Sequence, residues 1–211
     1  MAITEAEAFL ECRCGACRII LCDPTVRART ECLCRDCRKR SVNFAMRRAD
    51  NALAAAILNY ERGVDLLYFA NALVVDQASR DRLEFSKLAS NAANITAMST
   101  CCGTLMCGIH PMFEGNTISV NADSCCVTTA ARIDTQIVVF TCDAPEAAAK
   151  AIEAERAAPV ISNVFEALEH PAIMAFVDAI RAPIRDAVRS PGATSFEELC
   201  AGRTIRVDSR N

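Results

Sequence analysis

The chain has no tryptophan, two tyrosines and two histidines among its 211 residues. Its core must therefore be built from Ile, Leu, Val, Phe and Met, and imidazole ligands are nearly excluded. No apolar run approaches the roughly 18 residues of a membrane span, so no membrane partner is expected. The opening Met1-Ala2-Ile3-Thr4-Glu5-Ala6-Glu7 is acidic and lacks the basic region of a secretion signal. A cytoplasmic, reducing setting follows, in which thiols stay free or bind metal. The net charge of −3 argues against a general polyanion binder. Aromatics for base stacking are scarce beside the basic residues, with Phe44 alone in reach, which argues against nucleic acid.

What the chain does have is 14 cysteines. Seven fall in the run Cys12-Arg13-Cys14-Gly15-Ala16-Cys17, Cys22, Cys32-Leu33-Cys34-Arg35-Asp36-Cys37. A second group lies between Cys101 and Cys142, and Cys200 stands apart. Thiols this dense in a chain with no secretion signal point to metal, most often zinc. The spacing suggests a first cysteine group, an insertion over about 38–62, and a second group that folds back on the first.

Short apolar runs, Phe9-Leu10, Ile19 to Leu21 and Thr25 to Thr30, read as strands broken by Gly15 and Asp23-Pro24. Asp36 to Leu58 lacks Gly and Pro and reads as partly helical, ending at Gly63. Leu66 to Phe69, Leu73 to Val75, Ile118 to Val120 and Ile137 to Phe140 read as strands. From 143 onward helix dominates. Asp143 and Glu146 form a capping-box pattern before an Ala/Glu helix that stops ahead of Pro159. Ile173, Val177, Ile180, Ile184 and Val188 recur at helical spacing, with Pro183 expected to kink or divide that helix. The stripe needs a partner, either the β core or a second copy in a homodimer formed through the C-terminal helices. Ser195 and Glu198 start a last short helix, and Arg203 to Val207 reads as a final strand. The expected organisation is a zinc-binding β domain over 1–142 and a helical extension over 143–211 packed on the same domain, α+β overall.

His170 and His110 both precede proline and read as surface or loop residues, so the sites should be all-sulfur. Four thiolates around zinc close a structural site; three leave a position for water or a substrate thiol. Cys12 and Cys14 can pair with Cys101 and Cys102 to make the first kind. Cys32, Cys34 and Cys37 form a compact triplet of the second kind, with Cys17, Cys22, Cys107 or Cys125 able to approach in three dimensions. The remaining thiols read as small buried hydrophobes.

Cys12-x-Cys14-Gly15, Cys32-x-Cys34-x-x-Cys37-Arg38-Lys39 and Cys101-Cys102-Gly103-Thr104, in this order, resemble the glutathione-dependent formaldehyde-activating enzyme family, which includes the centromere protein V type domains. The resemblance covers roughly residues 8 to 142. It implies a mainly β, Mss4-like fold of twisted sheets around two zinc ions. It makes Cys12, Cys14 and Cys102 structural ligands, and Cys32, Cys34 and Cys37 ligands of the active zinc. Two positions depart from the pattern. The first cysteine of the later pair falls at Ser99, so either Cys101 replaces it or that site is remodelled. The family's triplet often carries histidine where this chain has Leu33.

The activity implied is carbon–sulfur lyase-like chemistry on glutathione or another small thiol adduct of the S-hydroxymethylglutathione type. Arg38 and Lys39, within the cluster Arg35, Arg38, Lys39, Arg40, Arg47 and Arg48, are the expected contacts for substrate carboxylates, unless that cluster is simply the wet face of a helix. Asp36 is the nearest carboxylate for general-base work. The competing reading is a non-catalytic, zinc-stabilised interaction module.

Overall fold

A computed structural model describes residues 8–129, 133–186 and 191–208. Val188 and the opening Met1 to Glu7 lie outside the described residues. Strands β1 (Phe9–Glu11), β2 (Arg18–Leu21) and β3 (Ala28–Cys32) lead into helices α1 (Arg35–Arg47) and α2 (Asn51–Leu58). Next come β4 (Val64–Ala70), β5 (Leu73–Val74), a one-turn α3 (Gln77–Arg80), and the strands β6 (Leu83–Lys87), β7 (Ile95–Ser99), β8 (Leu105–Ile109) and β9 (Thr117–Asn121). Strands β10 (Cys126–Thr128) and β11 (Ile137–Val139) are followed by α4 (Glu146–Glu155), β12 (Val160–Ile161), α5 (Pro171–Arg181), α6 (Phe196–Cys200) and β13 (Ile205–Val207).

The fold is α+β, built on two sheets. A four-stranded antiparallel sheet has the order β10-β1-β2-β5. A nine-stranded sheet runs β12-β11-β3-β4-β9-β8-β7-β6-β13. Its middle is antiparallel, while β11 and β12 at one end and β13 at the other pair in parallel. Both of its edge strands, β12 and β13, come from the chain after residue 143.

Strand β4 shows how the large sheet is used. Successive side chains of a strand point to opposite faces. Leu67 and Phe69 pack into one core with Leu10 and Ile19 of the small sheet and Phe85, Met106 and Ile118 of the large one. Leu66 and Tyr68 face the other side, where Ile137, Val139 and the α5 residues Ile173, Phe176 and Ile180 form a second core. Helix α5 therefore satisfies its apolar stripe against its own chain's sheet, leaving Met174 exposed.

Local chemistry moves several expected boundaries. Helix α5 ends at Arg181 instead of running through Pro183. The residue before a proline is pushed out of the α region, and Ala182 is extended at φ −52, ψ 129. Ile184 consequently lies beyond the helix. Strand β3 begins at Ala28 because Asp23 Oδ1 accepts from the Thr25 amide and holds a turn there. The Asp143–Glu146 capping box does not form: Pro145 is the cap residue of α4 and makes no side-chain bond. The Ser195–Glu198 box does form at α6.

Phe196 of α6 is fully buried and meets Phe85 edge-on at 5.6 Å. Phe196→Ala is expected to lower unfolding free energy by about 3 kcal/mol in urea, with one transition reported by all probes. Two separate transitions would show that the C-terminal segment unfolds on its own.

Candidate metal centres

The first centre forms where two turns meet. Cys12 and Cys14 lie in the β1–β2 turn of the small sheet, and Cys101 and Cys102 in the β7–β8 turn of the large one. Gly15 and Gly103 take φ of +75° and +68°, values that an L side chain disfavours and glycine adopts readily. The four sulfurs all lie within 4.8 Å of one another. Cys12 is 3.5 Å from Cys14 and 3.6 Å from Cys101, and Cys14 is 3.4 Å from Cys101. Tetrahedral zinc with bonds of about 2.3 Å has sulfur–sulfur edges of about 3.8 Å, so the donor set fits a metal with a small outward adjustment.

Ser99 is fully buried beneath this group. Its hydroxyl lies 3.4 Å from Cys102 Sγ and accepts from the Thr104 amide, and the Thr104 hydroxyl is 3.1 Å from the same sulfur. Burial raises the Cys102 thiol pKa, but these two hydroxyls, together with hydrogen bonds from Cys14, outweigh it and bring it down to about 5. Cys101 thus stands among the sulfurs, while Ser99 supports Cys102 from behind. Ser99 and Thr104 were not legible as supports because side-chain direction in a bulged hairpin depends on register; β7 and β8 shift between Ala97 and Met98.

The second centre is built on the strand-to-helix junction after β3. Cys32 ends the strand and is buried; Cys34 is the N-cap of α1, and its sulfur accepts from the Cys37 amide at 3.4 Å. The three sulfurs lie within 4.8 Å of one another, and among the described residues no fourth Cys, His, Asp or Glu joins them. A helix N-terminus favours negative charge. The neighbouring Cys32 thiol, then the Cys37 thiol, outweigh burial and hold Cys34 down to about 3, whereas the bond toward Cys34 pushes Cys32 up. Without metal, the triplet is one thiolate held by two thiols. Asp143 completes the junction: its Oδ2 accepts from the Arg35 amide at 2.8 Å. The carboxylate expected to cap α4 instead caps α1.

The triplet opens onto a cavity of about 670 Å³ on the α5 side of the large sheet. None of the four sulfurs of the first centre lines it. Val64, Leu66, Tyr68, Phe113, Val139 and Phe176 make much of its wall, and Cys107, His110 and Cys142 also reach it. His110 Nδ1 accepts from the Met112 amide at 3.1 Å, so its Nε2 is the ring nitrogen left for other work. Burial lowers the His110 pKa against the opposing field of Cys34. Cys17 and Cys125 turn instead to the Ser79 and Met106 carbonyls, as buried thiols. His170 caps α5 through its own Nδ1.

The basic run of α1 does not act as one face. Arg38 bonds the Ile57 carbonyl at 3.1 and 2.9 Å and lies 3.4 Å over the Tyr60 ring, tying α1 to α2. Neither Arg38 nor Lys39 lines the cavity; Arg35 and Arg40 do. A helix repeats every 3.6 residues, which places Arg40 and Ser41 one turn beyond Cys37. Phe44 is buried, so it offers no stacking surface.

No known protein family, no curated protein and no solved structure matches the chain.

Elemental mass spectrometry on protein purified without chelator is expected to give two metal ions per chain, and one after either Cys34→Ala or Cys101→Ala. An unchanged count in Cys101→Ala would remove Cys101 from the ligands. In metal-stripped protein, iodoacetamide should modify Cys34 at nearly the same rate at about pH 6 and about pH 8, because its thiolate persists to low pH. An ordinary thiol would speed up roughly 100-fold over that interval.

Proposed function

We propose that the chain is a two-zinc protein with carbon–sulfur lyase-like activity on a thiol adduct, of the kind carried out by glutathione-dependent formaldehyde-activating enzymes, on an Mss4-like scaffold. The observation that carries this reading is the contrast between the two sulfur groups. Four thiols gather away from the cavity, and three gather on its wall with no fourth Cys, His, Asp or Glu among the described residues joining the group. The first centre then clamps the two sheets, and the second leaves one position for a substrate.

When bound, zinc supplies positive charge that ionises a substrate thiol near neutral pH. The chain's own residues do the rest. Cys32, Cys34 and Cys37 hold the ion, and α1 and Asp143 fix their geometry. Tyr68, Phe113 and Phe176 exclude water. The thiol proton leaves to solvent, and neutral His110, whose Nδ1 accepts from the Met112 amide, carries its own proton on Nε2 and donates from there toward the carbonyl oxygen. The substrate sulfur attacks the aldehyde carbon, a carbon–sulfur bond forms as the carbonyl π bond breaks, and the oxygen takes a proton from solvent. The reverse direction breaks the same bond.

Cobalt(II)-loaded protein should change its visible spectrum when glutathione is added, and NMR with labelled formaldehyde should then show the adduct forming faster than in buffer. Cys34→Ala is expected to abolish both signals. A spectrum insensitive to every thiol tested would leave the second ion purely structural and favour the interaction-module reading.

A further inference from the structure

Among the described residues the half-buried arginines are paired, with two exceptions: Arg48, whose Nη1 is unmet but whose guanidinium lies 5.2 Å from the Phe44 ring centroid, and Arg40. Arg29 meets Asp65 at 2.8 Å, and Arg156 meets Glu31 at 2.8 Å. Arg27 donates to the carbonyl of Asn116 and the hydroxyl of Thr117. Arg40 is only 9% exposed, yet its Nε and Nη1 have no partner. Its Nη2 has one distant contact, the Asn94 carbonyl at 3.5 Å. Among the described residues no carboxylate pairs with Arg40, and it bonds no cysteine sulfur. Asn94 Oδ1, on the same cavity wall, is also buried without a partner. A buried guanidinium with most of its donors unmet is costly, commonly by several kcal/mol. A fold retains such a group where a ligand completes it.

The position of Arg40 says what kind of ligand. It lies one helical turn from Cys37 and lines the same cavity as the sulfurs, while also bordering a smaller cleft beside Asp208. The rest of the wall is largely aliphatic and aromatic. Arg35 lines the cavity too but is exposed, beside the acidic Asp36 and Asp143. One buried cation calls for one compact anion, and the apolar wall calls for an apolar body.

We propose that Arg40 anchors an anion subsite and that the cavity takes a thiol, or its adduct, carrying a single carboxylate or equally compact anion on a predominantly apolar body. This rests on the proposed function for the sulfur end of the ligand and narrows the thiol away from the polar, multiply charged glutathione. Arg40 donates to the carboxylate while the ligand sulfur reaches the Cys32–Cys34–Cys37 centre.

The test titrates cobalt(II)-loaded protein with mercaptopropionate, its neutral counterpart mercaptopropanol, a phenyl-bearing mercaptopropionate and glutathione, read by visible absorption. Mercaptopropionate should bind at least ~10-fold tighter than mercaptopropanol, in line with a charge-assisted pair, and the phenyl-bearing acid tighter still. Arg40→Met should erase the preference for the acid, and Arg40→Lys should restore part of it. Because Arg40→Met removes an unpaired buried charge, its thermal midpoint should hold or rise; a large fall would mark Arg40 as structural and overturn the proposal. Equal binding of acid and alcohol would overturn the anion subsite and leave the thiol chemistry standing. If no thiol perturbs the cobalt spectrum, the function reading fails, and calorimetry with phenylpropionate, which has no thiol, decides the subsite alone. Binding lost in Arg40→Met would sustain it, and no binding to the native chain would end it.

Discussion

The two-sided burial of the nine-stranded sheet is the constraint on which the rest depends. Strand β4 lies near its middle and must satisfy both faces at once, and β3 is paired to it along five residues from Ala28 to Cys32. On one face Leu67 and Phe69 join a close-packed core against the small sheet. On the other, Leu66 and Tyr68 face helices that leave about 670 Å³ unfilled. A strand with both faces buried cannot slip register without exposing one set of side chains. Cys32 at the end of β3 is therefore fixed at the wall of that space.

The two sulfur groups use this frame differently. The Cys12–Cys14–Cys101–Cys102 group links turns almost ninety residues apart and belongs to different sheets. A metal held by these four sulfurs would tie the two turns and limit how the sheets slide. The Cys32–Cys34–Cys37 group is local in sequence and draws on α1 itself, through the Cys37 amide and the helix dipole. Its negative charge sits one turn from a guanidinium whose Nε and Nη1 have no hydrogen-bond partner. Polar groups elsewhere in the interior are mostly satisfied, so unmet donors and open sulfur coordinates coincide in one cavity. That coincidence distinguishes a site from a core.

Much of this was legible in the residues. Both sulfur groups could be named because cysteine has few other uses at such density in a chain expected to stay reduced, and the triplet's ligands lie within six residues. Strands at Ile19, Leu66, Ile118 and Ile137 and the capped helix at Ser195 follow from local patterns that the structure keeps. Asp143 was different. Its spacing to Glu146 matched a capping box, yet the amide that it accepts from belongs to Arg35, over a hundred residues earlier. Both amides need an acceptor, and only the folded chain decides which one comes within reach.

The basic run makes the same point about the site. Arg35, Arg38, Lys39 and Arg40 are equivalent as sequence: four cations in six positions of a helix. The sequence by itself determined that sulfur clusters would form, that β structure would carry them and that a basic helix would follow the triplet. Tertiary structure decided that Arg38 would cap the end of α2 and stack on Tyr60, and that Arg40 would enter the cavity unpaired. It also decided that Cys101 would stand beside Cys12 and Cys14 with Ser99 behind. The reason is one of range. Ligand chemistry and helix periodicity act over a few residues, whereas partner, burial and field are set by segments that meet only when the sheets close.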